Sequence, residues 1–195
     1  MNNLANKIIV ADIFGVTPAL ISLGRAINAN TIIDPYDGKV MNFENEAQAY
    51  HYFIKKVGLD TYVNKLSKLM KECADKTILI GFSVGASAIW QLSKSTELAV
   101  TKRVTGAVCF YGSQIRHLTQ LSPNFAVELI FPQQEPHFDV QALTQLLANK
   151  KRVTAVQIDF LHGFMNTHSD NFNQAGYIAQ VKRLQQNICF KGDNH

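Results

Sequence analysis

The chain has 195 residues, of which 47% are hydrophobic and 17% are charged, and 19 Lys and Arg against 15 Asp and Glu give a net charge of +4. This composition is ordinary for a soluble globular protein, and we expect a single domain over residues 1–195, large enough to bury a core. Because the basic residues are scattered along the chain, they predict no nucleic-acid-binding surface.

The sequence also lacks the patterns of export and membrane insertion. Residues 1–7 have no basic region followed by a long apolar stretch, and no run approaches the roughly 18 apolar residues of a membrane span. The three cysteines, Cys73, Cys109 and Cys189, have no metal-type spacing, and their odd number favours a reducing compartment. We therefore expect a cytoplasmic protein with no membrane partner and no metal site.

Short β-branched runs alternate with segments of helical periodicity along the chain. The predicted strands are residues 7–13, 31–33, 77–81, 104–110, 125–131 and 153–159. The predicted helices are residues 18–28, 57–73, 84–98, 139–149 and 174–187. This alternation predicts an α/β fold with a mostly parallel sheet of about six strands and helices on both faces. In such sheets the functional groups lie on loops at the carboxyl ends of the strands.

The third predicted strand leads directly into a G-x-S-x-G motif, Gly81-Phe82-Ser83-Val84-Gly85, and then into a helical segment. This order is typical of a nucleophile elbow, a sharp turn that exposes the serine oxygen. Side chains at the two glycine positions would clash in so tight a turn, and the serine itself adopts a strained backbone conformation. The backbone N–H of Val84 can then point at a developing oxyanion. The motif predicts that Ser83 is a nucleophile.

A nucleophilic serine needs a base, usually a histidine held by a carboxylate. In this type of fold the chain order is serine, acid, histidine. His162 follows the last predicted strand by a few residues, which places it on the same edge of the sheet as Ser83. The loop after the fifth predicted strand offers two acids, Glu135 and Asp139. Since Asp139 is also well placed to cap the next helix, we favour Glu135 and leave Asp139 open.

The loop after the first predicted strand is the third candidate part of the site. It contains Asp12, Ile13 and Phe14, and in this topology it lies beside the elbow. Ile13 is the most plausible source of a second N–H for the oxyanion. Asp12 can orient the serine or cap a turn, and both roles stay open.

Four separated segments together resemble the dienelactone hydrolase family of α/β-hydrolases. They are residues 12–16, 81–85, 109–112 and 162–164, with the sequences Asp-Ile-Phe-Gly-Val, Gly-Phe-Ser-Val-Gly, Cys-Phe-Tyr-Gly and His-Gly-Phe. Their order and spacing extend over most of the chain, from about residue 7 to about residue 190. The resemblance implies an α/β-hydrolase fold with Ser83 as nucleophile, Glu135 as acid, His162 as base, and the N–H groups of Ile13 and Val84 as the oxyanion hole.

The chain also departs from this family. Enzymes that act on dienelactone use cysteine where this chain has Ser83, and the family's glutamate and aspartate are replaced by Asp12 and Glu135. Those enzymes bind the substrate carboxylate with arginines, one of them four residues beyond the histidine, where this chain has Asn166. An anionic lactone is therefore not the expected substrate. Because the chain begins almost at its first central strand, we also expect a sheet reduced at the N-terminus.

The leading hypothesis is a serine hydrolase that acts on a small ester, lactone or thioester without a cofactor. We expect Asp12, Phe14, Tyr111 and Phe164 to line its substrate pocket, and the protein to be a monomer or a homodimer.

The alternative hypothesis is a catalytically silent α/β-hydrolase scaffold that binds a small ligand or a protein partner through the same pocket. It is favoured if Glu135 cannot reach His162, or if Ser83 lies beyond hydrogen-bond range of His162.

Overall fold

A computed structural model describes residues 5–73, 75–186, 188 and 190. Cys189 and the predicted helix end at residue 187 lie outside the described residues. The strands are β1 (Asn6–Val10), β2 (Ala29–Ile33), β3 (Thr77–Phe82), β4 (Val104–Phe110), β5 (Val127–Phe131) and β6 (Val153–Gln157). The helices are α1 (Pro18–Ala26), α2 (Glu46–Lys56), α3 (Leu59–Glu72), α4 (Val84–Leu92), α5 (Leu98–Arg103), α6 (Val140–Ala148) and α7 (Gln174–Gln185), with a 3₁₀ helix at Ser113–His117.

The six strands form one sheet in the order β2-β1-β3-β4-β5-β6, and every neighbouring pair is parallel. From β1 the chain first moves outward to β2, and it then returns to the other side of β1 as β3. The strand order therefore reverses between β1 and β3. Ligands of open α/β sheets bind in the crevice at the carboxyl ends of the strands where this reversal occurs. In this chain that crevice lies between the loop after Val10 and the turn after Phe82.

The sheet carries a buried layer on each face. Ile8 and Val10 belong to one core cluster, whereas Ile9 between them belongs to the other, as the two-residue period of a strand requires. Residues of α3, α4 and α6 cover the first face, and Leu23 of α1 and Leu184 of α7 cover the second. The predicted α/β architecture, with helices on both faces of a six-stranded sheet, is confirmed.

The structure corrects the helix predicted over residues 84–98. That segment divides into α4, which ends at Leu92, and α5, which begins at Leu98. The division coincides with contacts of Asn124. Its backbone N–H donates a hydrogen bond to the carbonyl of Ser93 at 2.7 Å, and its side-chain amide donates to the carbonyls of Lys94 and Ser95. Carbonyls bound from outside in this way mark the end of a helix.

The structure also contains α2, a helix that the sequence analysis did not predict. Asn45 caps it by accepting a hydrogen bond from the backbone N–H of Gln48 at 2.9 Å. Only Ala49 and Phe53 of this helix are buried. Its remaining residues are partly or fully exposed, so its apolar stripe is narrow. No helix of the described part of the chain is long and apolar enough to cross a membrane.

Candidate active site

Ser83 lies alone between the end of β3 and the start of α4, with φ 50° and ψ −113°. A positive φ is rare for a residue with a side chain and costs on the order of 1–3 kcal/mol. The neighbouring structure holds the serine in place, because its N–H donates to the carbonyl of Phe110 and its own carbonyl accepts from the N–H and the hydroxyl of Ser87. The turn is therefore fixed on both sides of the serine.

The two glycines of the motif occupy positions without room for a side chain. A Cβ atom at Gly81 would lie 2.8 Å from the backbone nitrogen of Ala86. A Cβ atom at Gly85 would lie 2.2 Å from the carbonyl oxygen of Val10. Both contacts are with backbone atoms, which cannot rotate away. The steric requirement predicted for this turn is present in the structure.

His162 lies between Ser83 and Glu135 and contacts both. Its Nε2 atom is 3.2 Å from Ser83 Oγ, and its Nδ1 atom is 2.7 Å from Glu135 Oε1. The side chains of His162 and Glu135 are 21% and 9% exposed. An ionised carboxylate can only accept a hydrogen bond, so Glu135 favours the tautomer in which Nδ1 carries the proton and Nε2 is free to accept the proton of the serine hydroxyl. Both contacts that a catalytically silent scaffold was expected to lack are present.

Glu135 reaches His162 because two loops are joined. The N–H of Gln133 donates to the carbonyl of Phe160 at 2.7 Å, and the side-chain amide of Gln157 donates to the carbonyl of Gln133 at 2.8 Å. These bonds fasten the loop after β5 to the segment after β6 that carries His162. Asp139 is engaged elsewhere, since its carboxylate caps α6 by accepting from Ala142 N–H at 2.9 Å. Of the two acids left open by the sequence, the structure places Glu135 against His162.

The loop that carries His162 has its own supports. The His162 carbonyl accepts a hydrogen bond from the side-chain amide of Asn171 at 2.9 Å. The next residue, Gly163, has φ 83°, and a Cβ atom there would lie 2.4 Å from Ser169 Oγ. On its other side the imidazole packs against the ring of Tyr111, with 4.9 Å between ring centroids. These contacts fix the orientation of the imidazole.

The two backbone N–H groups predicted to form an oxyanion hole belong to residues beside Ser83, Ile13 on the same cleft and Val84 next in the chain. Among the described residues, no acceptor binds the N–H of Ile13 or of Val84. The backbone at Ile13 is nevertheless supported on its carbonyl side, because the Ile13 carbonyl accepts a hydrogen bond from the hydroxyl of Tyr36 at 2.7 Å. Val84 is the first residue of α4, where the helix dipole places partial positive charge. Both groups can donate to an oxygen that becomes negatively charged.

Asp12 is buried and its two carboxylate oxygens have separate partners. Oδ1 accepts from the N–H of Phe14 at 2.9 Å, and Oδ2 accepts from Asn166 Nδ2 at 2.6 Å. The first bond caps the turn, which is one of the two roles left open for Asp12. No hydrogen bond joins it to Ser83 within the described part of the chain. Burial raises the pKa of Asp12 to about 6, although both hydrogen bonds and the nearby His162 lower it.

A cleft of about 240 Å³, including the part open to solvent, adjoins Ser83 and His162. Asp12, Phe14 and Tyr111, three of the four residues predicted to line a substrate pocket, line this cleft. Phe164 does not line this cleft, because it is fully buried in the core and stacks on Phe160 with 5.0 Å between ring centroids. The prediction for Phe164 therefore does not match its position.

Sequence reasoning missed an acidic residue that lines the cleft. Glu46 reaches it from the first turn of α2, a helix that had not been predicted. The signal that could have found it is Asn45 followed by an acidic residue, which is typical of a helix N-terminus. Ser169 and Asn166 also line the cleft. Within the ranges that the structure describes, no group of three His, Cys, Asp or Glu residues could hold a metal ion.

A parallel sheet whose strand turns through a strained serine into a helix, with a histidine and an acid on later loops, is the architecture of an α/β-hydrolase. The sequence profile of the dienelactone hydrolase family matches residues 7–188. The chain therefore belongs to the dienelactone hydrolase family, and the resemblance noted from the four segments is confirmed.

The chain is also similar to one protein in sequence and to solved structures in fold. An uncharacterized protein of Bacillus subtilis, YczH, is 35% identical over 186 residues, which are 91% of this chain and 89% of that protein. The structure is similar to that of a Klebsiella pneumoniae protein assigned to the dienelactone hydrolases, with a TM-score of 0.69, 17% identity, and coverage of 93% of this chain and 85% of the other. It is also similar to P91, a dienelactone hydrolase-like promiscuous phosphotriesterase from metagenomic libraries, with a TM-score of 0.61, 11% identity, and coverage of 92% and 85%.

Proposed function

We propose that this protein is a serine hydrolase of small esters, lactones or thioesters. Ser83 is the nucleophile, His162 the general base and acid, and Glu135 the group that orients His162. The observation that carries the proposal is the continuous hydrogen-bonded series from Glu135 through His162 to Ser83, with distances of 2.7 Å and 3.2 Å, that ends at a serine in an elbow turn.

In the first half of the reaction, Ser83 Oγ attacks the carbonyl carbon of the substrate while His162 Nε2 takes the hydroxyl proton. The carbonyl oxygen becomes an oxyanion, which accepts hydrogen bonds from the N–H groups of Ile13 and Val84. The carboxylate of Glu135 stabilises the imidazolium that forms. The bond to the alcohol or thiol then breaks, His162 protonates the departing oxygen or sulfur, and the acyl group remains on Ser83 as an ester.

In the second half, a water molecule repeats the attack on this acyl-enzyme. His162 takes a proton from the water as its oxygen bonds to the acyl carbon, and it returns that proton to Ser83 Oγ as the ester bond breaks. The carboxylic acid leaves and the free serine is restored. The cycle uses only this chain's residues and water, so we propose a hydrolase without a cofactor.

The test is intact-mass analysis after incubation with a small fluorophosphonate, which phosphonylates activated serines. We expect one adduct on the wild-type protein and none on Ser83→Ala. Ser95→Ala, which changes a serine on the loop after α4, is the matched control and should still be labelled. Absence of an adduct on folded wild-type protein, under conditions that label a known serine hydrolase, would contradict the proposal and favour the silent binding scaffold.

We also propose that the protein acts in the cytoplasm. Cys73 and Cys109, the two cysteines within the described residues, are free thiols, as suits a reducing compartment.

A further inference from the structure

The cleft beside Ser83 is acidic, although the chain as a whole has a net charge of +4. Asp12 and Glu46 both line it. No Lys or Arg of the described residues lines this cleft or the adjoining cavity, which shares Asp12, Tyr111 and Asn166 with it. The cleft therefore has two carboxylates and no basic side chain other than His162, which the triad already engages.

The two carboxylates line the same cleft and interact electrostatically. The charge of Glu46 raises the pKa of Asp12, in addition to the larger effect of burial. Both acids also raise the pKa of Tyr111, for which burial is again the first cause. Among the described residues, His162 is the basic group that acts on Asp12 in the opposite direction. The negative potential of this cleft is therefore uncompensated by a neighbouring cation of the protein.

A second and independent feature indicates a polar ligand here. The Tyr111 side chain is 1% exposed and lines both the cleft and the adjoining cavity. Its hydroxyl has no hydrogen-bond partner of normal geometry among the described residues, although the backbone of Met165 is close enough to oppose the rise in its pKa that burial causes. A buried hydroxyl is normally paired. An unpaired hydroxyl on a residue that lines a binding cleft can pair with a polar group of the bound substrate.

We propose that the substrate is an ester or thioester with a cationic group, a protonated amine, which binds between Asp12 and Glu46. This inference rests on the proposed hydrolase function and names its substrate class. A cation gains from two carboxylates in a partly desolvated cleft, whereas an anion in the same position is repelled by both. Tyr111 supplies a hydroxyl to the same polar end of the substrate.

Three acetate esters of similar size test whether a positive charge on the substrate favours hydrolysis. They are 2-(dimethylamino)ethyl acetate, which is cationic at neutral pH, its uncharged isostere 3-methylbutyl acetate, and the anionic 2-carboxyethyl acetate. Acid release is followed by pH-stat titration. We expect kcat/KM to be about tenfold higher for the cation than for the isostere, and lowest for the anion. The cation's advantage should decrease as ionic strength increases, because salt screens the carboxylates.

Variants assign the preference to particular carboxylates. Because Asp12 is buried, Asp12→Asn can disturb the fold, so Glu46→Gln on the exposed first turn of α2 is the main variant. It should lower the ratio of cationic to neutral kcat/KM about threefold. Glu44→Gln removes the same charge from an exposed residue that does not line the cleft, and it should leave the ratio unchanged.

The outcomes separate this inference from the hydrolase proposal. Equal kcat/KM for cation and isostere, a preference for the anion, or an unchanged ratio in Glu46→Gln would overturn the inference. So would an absence of turnover of all three esters while Ser83 is still phosphonylated, and in that case the activated serine stands. Absence of both turnover and phosphonylation would overturn the hydrolase proposal and the inference together.

Discussion

Glu135 Oε1 and His162 Nδ1 lie 2.7 Å apart, although 27 positions in the sequence separate the two residues. They meet because β5 and β6 are neighbours in the sheet and each residue lies on the loop that follows one of these strands. Parallel strands place their carboxyl ends at one edge, so the loops after them are adjacent. The distance is therefore a consequence of the sheet order, and the hydrogen bonds of Gln133 tighten it.

The contact predicts that Glu135→Gln lowers kcat for a small ester by roughly 10³-fold. The amide keeps the size of the side chain but removes the charge that stabilises the imidazolium, and its NH₂ can select the wrong imidazole tautomer. KM should change much less, because Glu135 does not line the cleft beside Ser83. Steady-state kinetics with p-nitrophenyl acetate measure both constants.

The matched control for Glu135 is Asp139, the other acid of the same loop. Asp139→Ala should leave kcat near the wild-type value and lower the free energy of unfolding by about 1 kcal/mol, because it removes the cap of α6. Urea denaturation measures this loss. If Asp139→Ala abolished activity and Glu135→Gln did not, the assignment of the acid would be wrong.

The strands and the elbow could be predicted from the sequence because their determinants are local. β-Branched runs mark the strands, and Gly81 and Gly85 mark a turn in which their Cβ atoms would meet the backbone. The end of α4 could not be predicted in the same way. It depends on a hydrogen bond from the N–H of Asn124 to the carbonyl of Ser93, 31 positions away, and sequence periodicity gives no information on such a distant contact.

The site shows the same division between local and distant determinants. Ser83 and His162 could be located because each follows a predicted strand at the correct edge of the sheet. The choice between Glu135 and Asp139 could not be settled from spacing, since only the tertiary hydrogen bonds place one of them on His162. Glu46 was missed with its helix, because the two buried residues of α2 give it too narrow an apolar stripe.

Two glycine substitutions should have opposite effects on stability. In Gly85→Ala the new Cβ atom would lie 2.2 Å from the carbonyl oxygen of Val10, so we expect a loss of about 3 kcal/mol or more. Gly24 lies inside α1, and in Gly24→Ala the atom nearest to the new Cβ would be Cδ1 of Ile9 in β1, at an ordinary contact distance of 3.6 Å. This variant should gain about 0.5–1 kcal/mol, because alanine favours the helix. Equal changes in the free energy of unfolding of the two variants, measured by urea denaturation, would contradict the close packing at Gly85.

The buried carboxylate of Asp12 predicts a pH dependence of stability. Its pKa of about 6 lies above the ordinary value of 3.8, so between these values the folded state binds more protons than the unfolded state. The free energy of unfolding therefore falls as the pH rises through this window, by about 3 kcal/mol in total. Asp12→Asn lacks the titration. The stability of wild type relative to Asp12→Asn should be highest near pH 4 and lowest above pH 6, as measured by urea denaturation in a series of buffers.

A constant difference between wild type and Asp12→Asn across that series would show that Asp12 titrates normally. Asp37→Asn is the control, because Asp37 is exposed and its pKa is lowered by Lys65 rather than raised. That variant should not show the loss of relative stability with rising pH that Asp12 produces.

Removal of the hydroxyl should have different effects on the free energy of unfolding at two buried tyrosines. The hydroxyl of Tyr62 lies 3.0 Å from each of the carbonyls of Ala11 and Ile33 and can donate its one proton to either of them. The hydroxyl of Tyr111 has no hydrogen-bond partner of normal geometry among the described residues. Tyr62→Phe leaves two buried carbonyls with one partner fewer and should lower the free energy of unfolding by about 1–2 kcal/mol. Tyr111→Phe removes an unpaired buried group and should leave that free energy unchanged or raise it by up to about 1 kcal/mol.

In activity, by contrast, Tyr111→Phe should be the more strongly affected of the two variants. If the Tyr111 hydroxyl binds the polar end of the substrate, Tyr111→Phe should lower kcat/KM for the cationic ester about tenfold, chiefly through KM, because the substrate loses one hydrogen bond. Tyr62→Phe should have a much smaller effect on the ester, since Tyr62 does not line the cleft. A Tyr111→Phe protein that is less stable and fully active would mean that this hydroxyl has a structural partner and no role in binding.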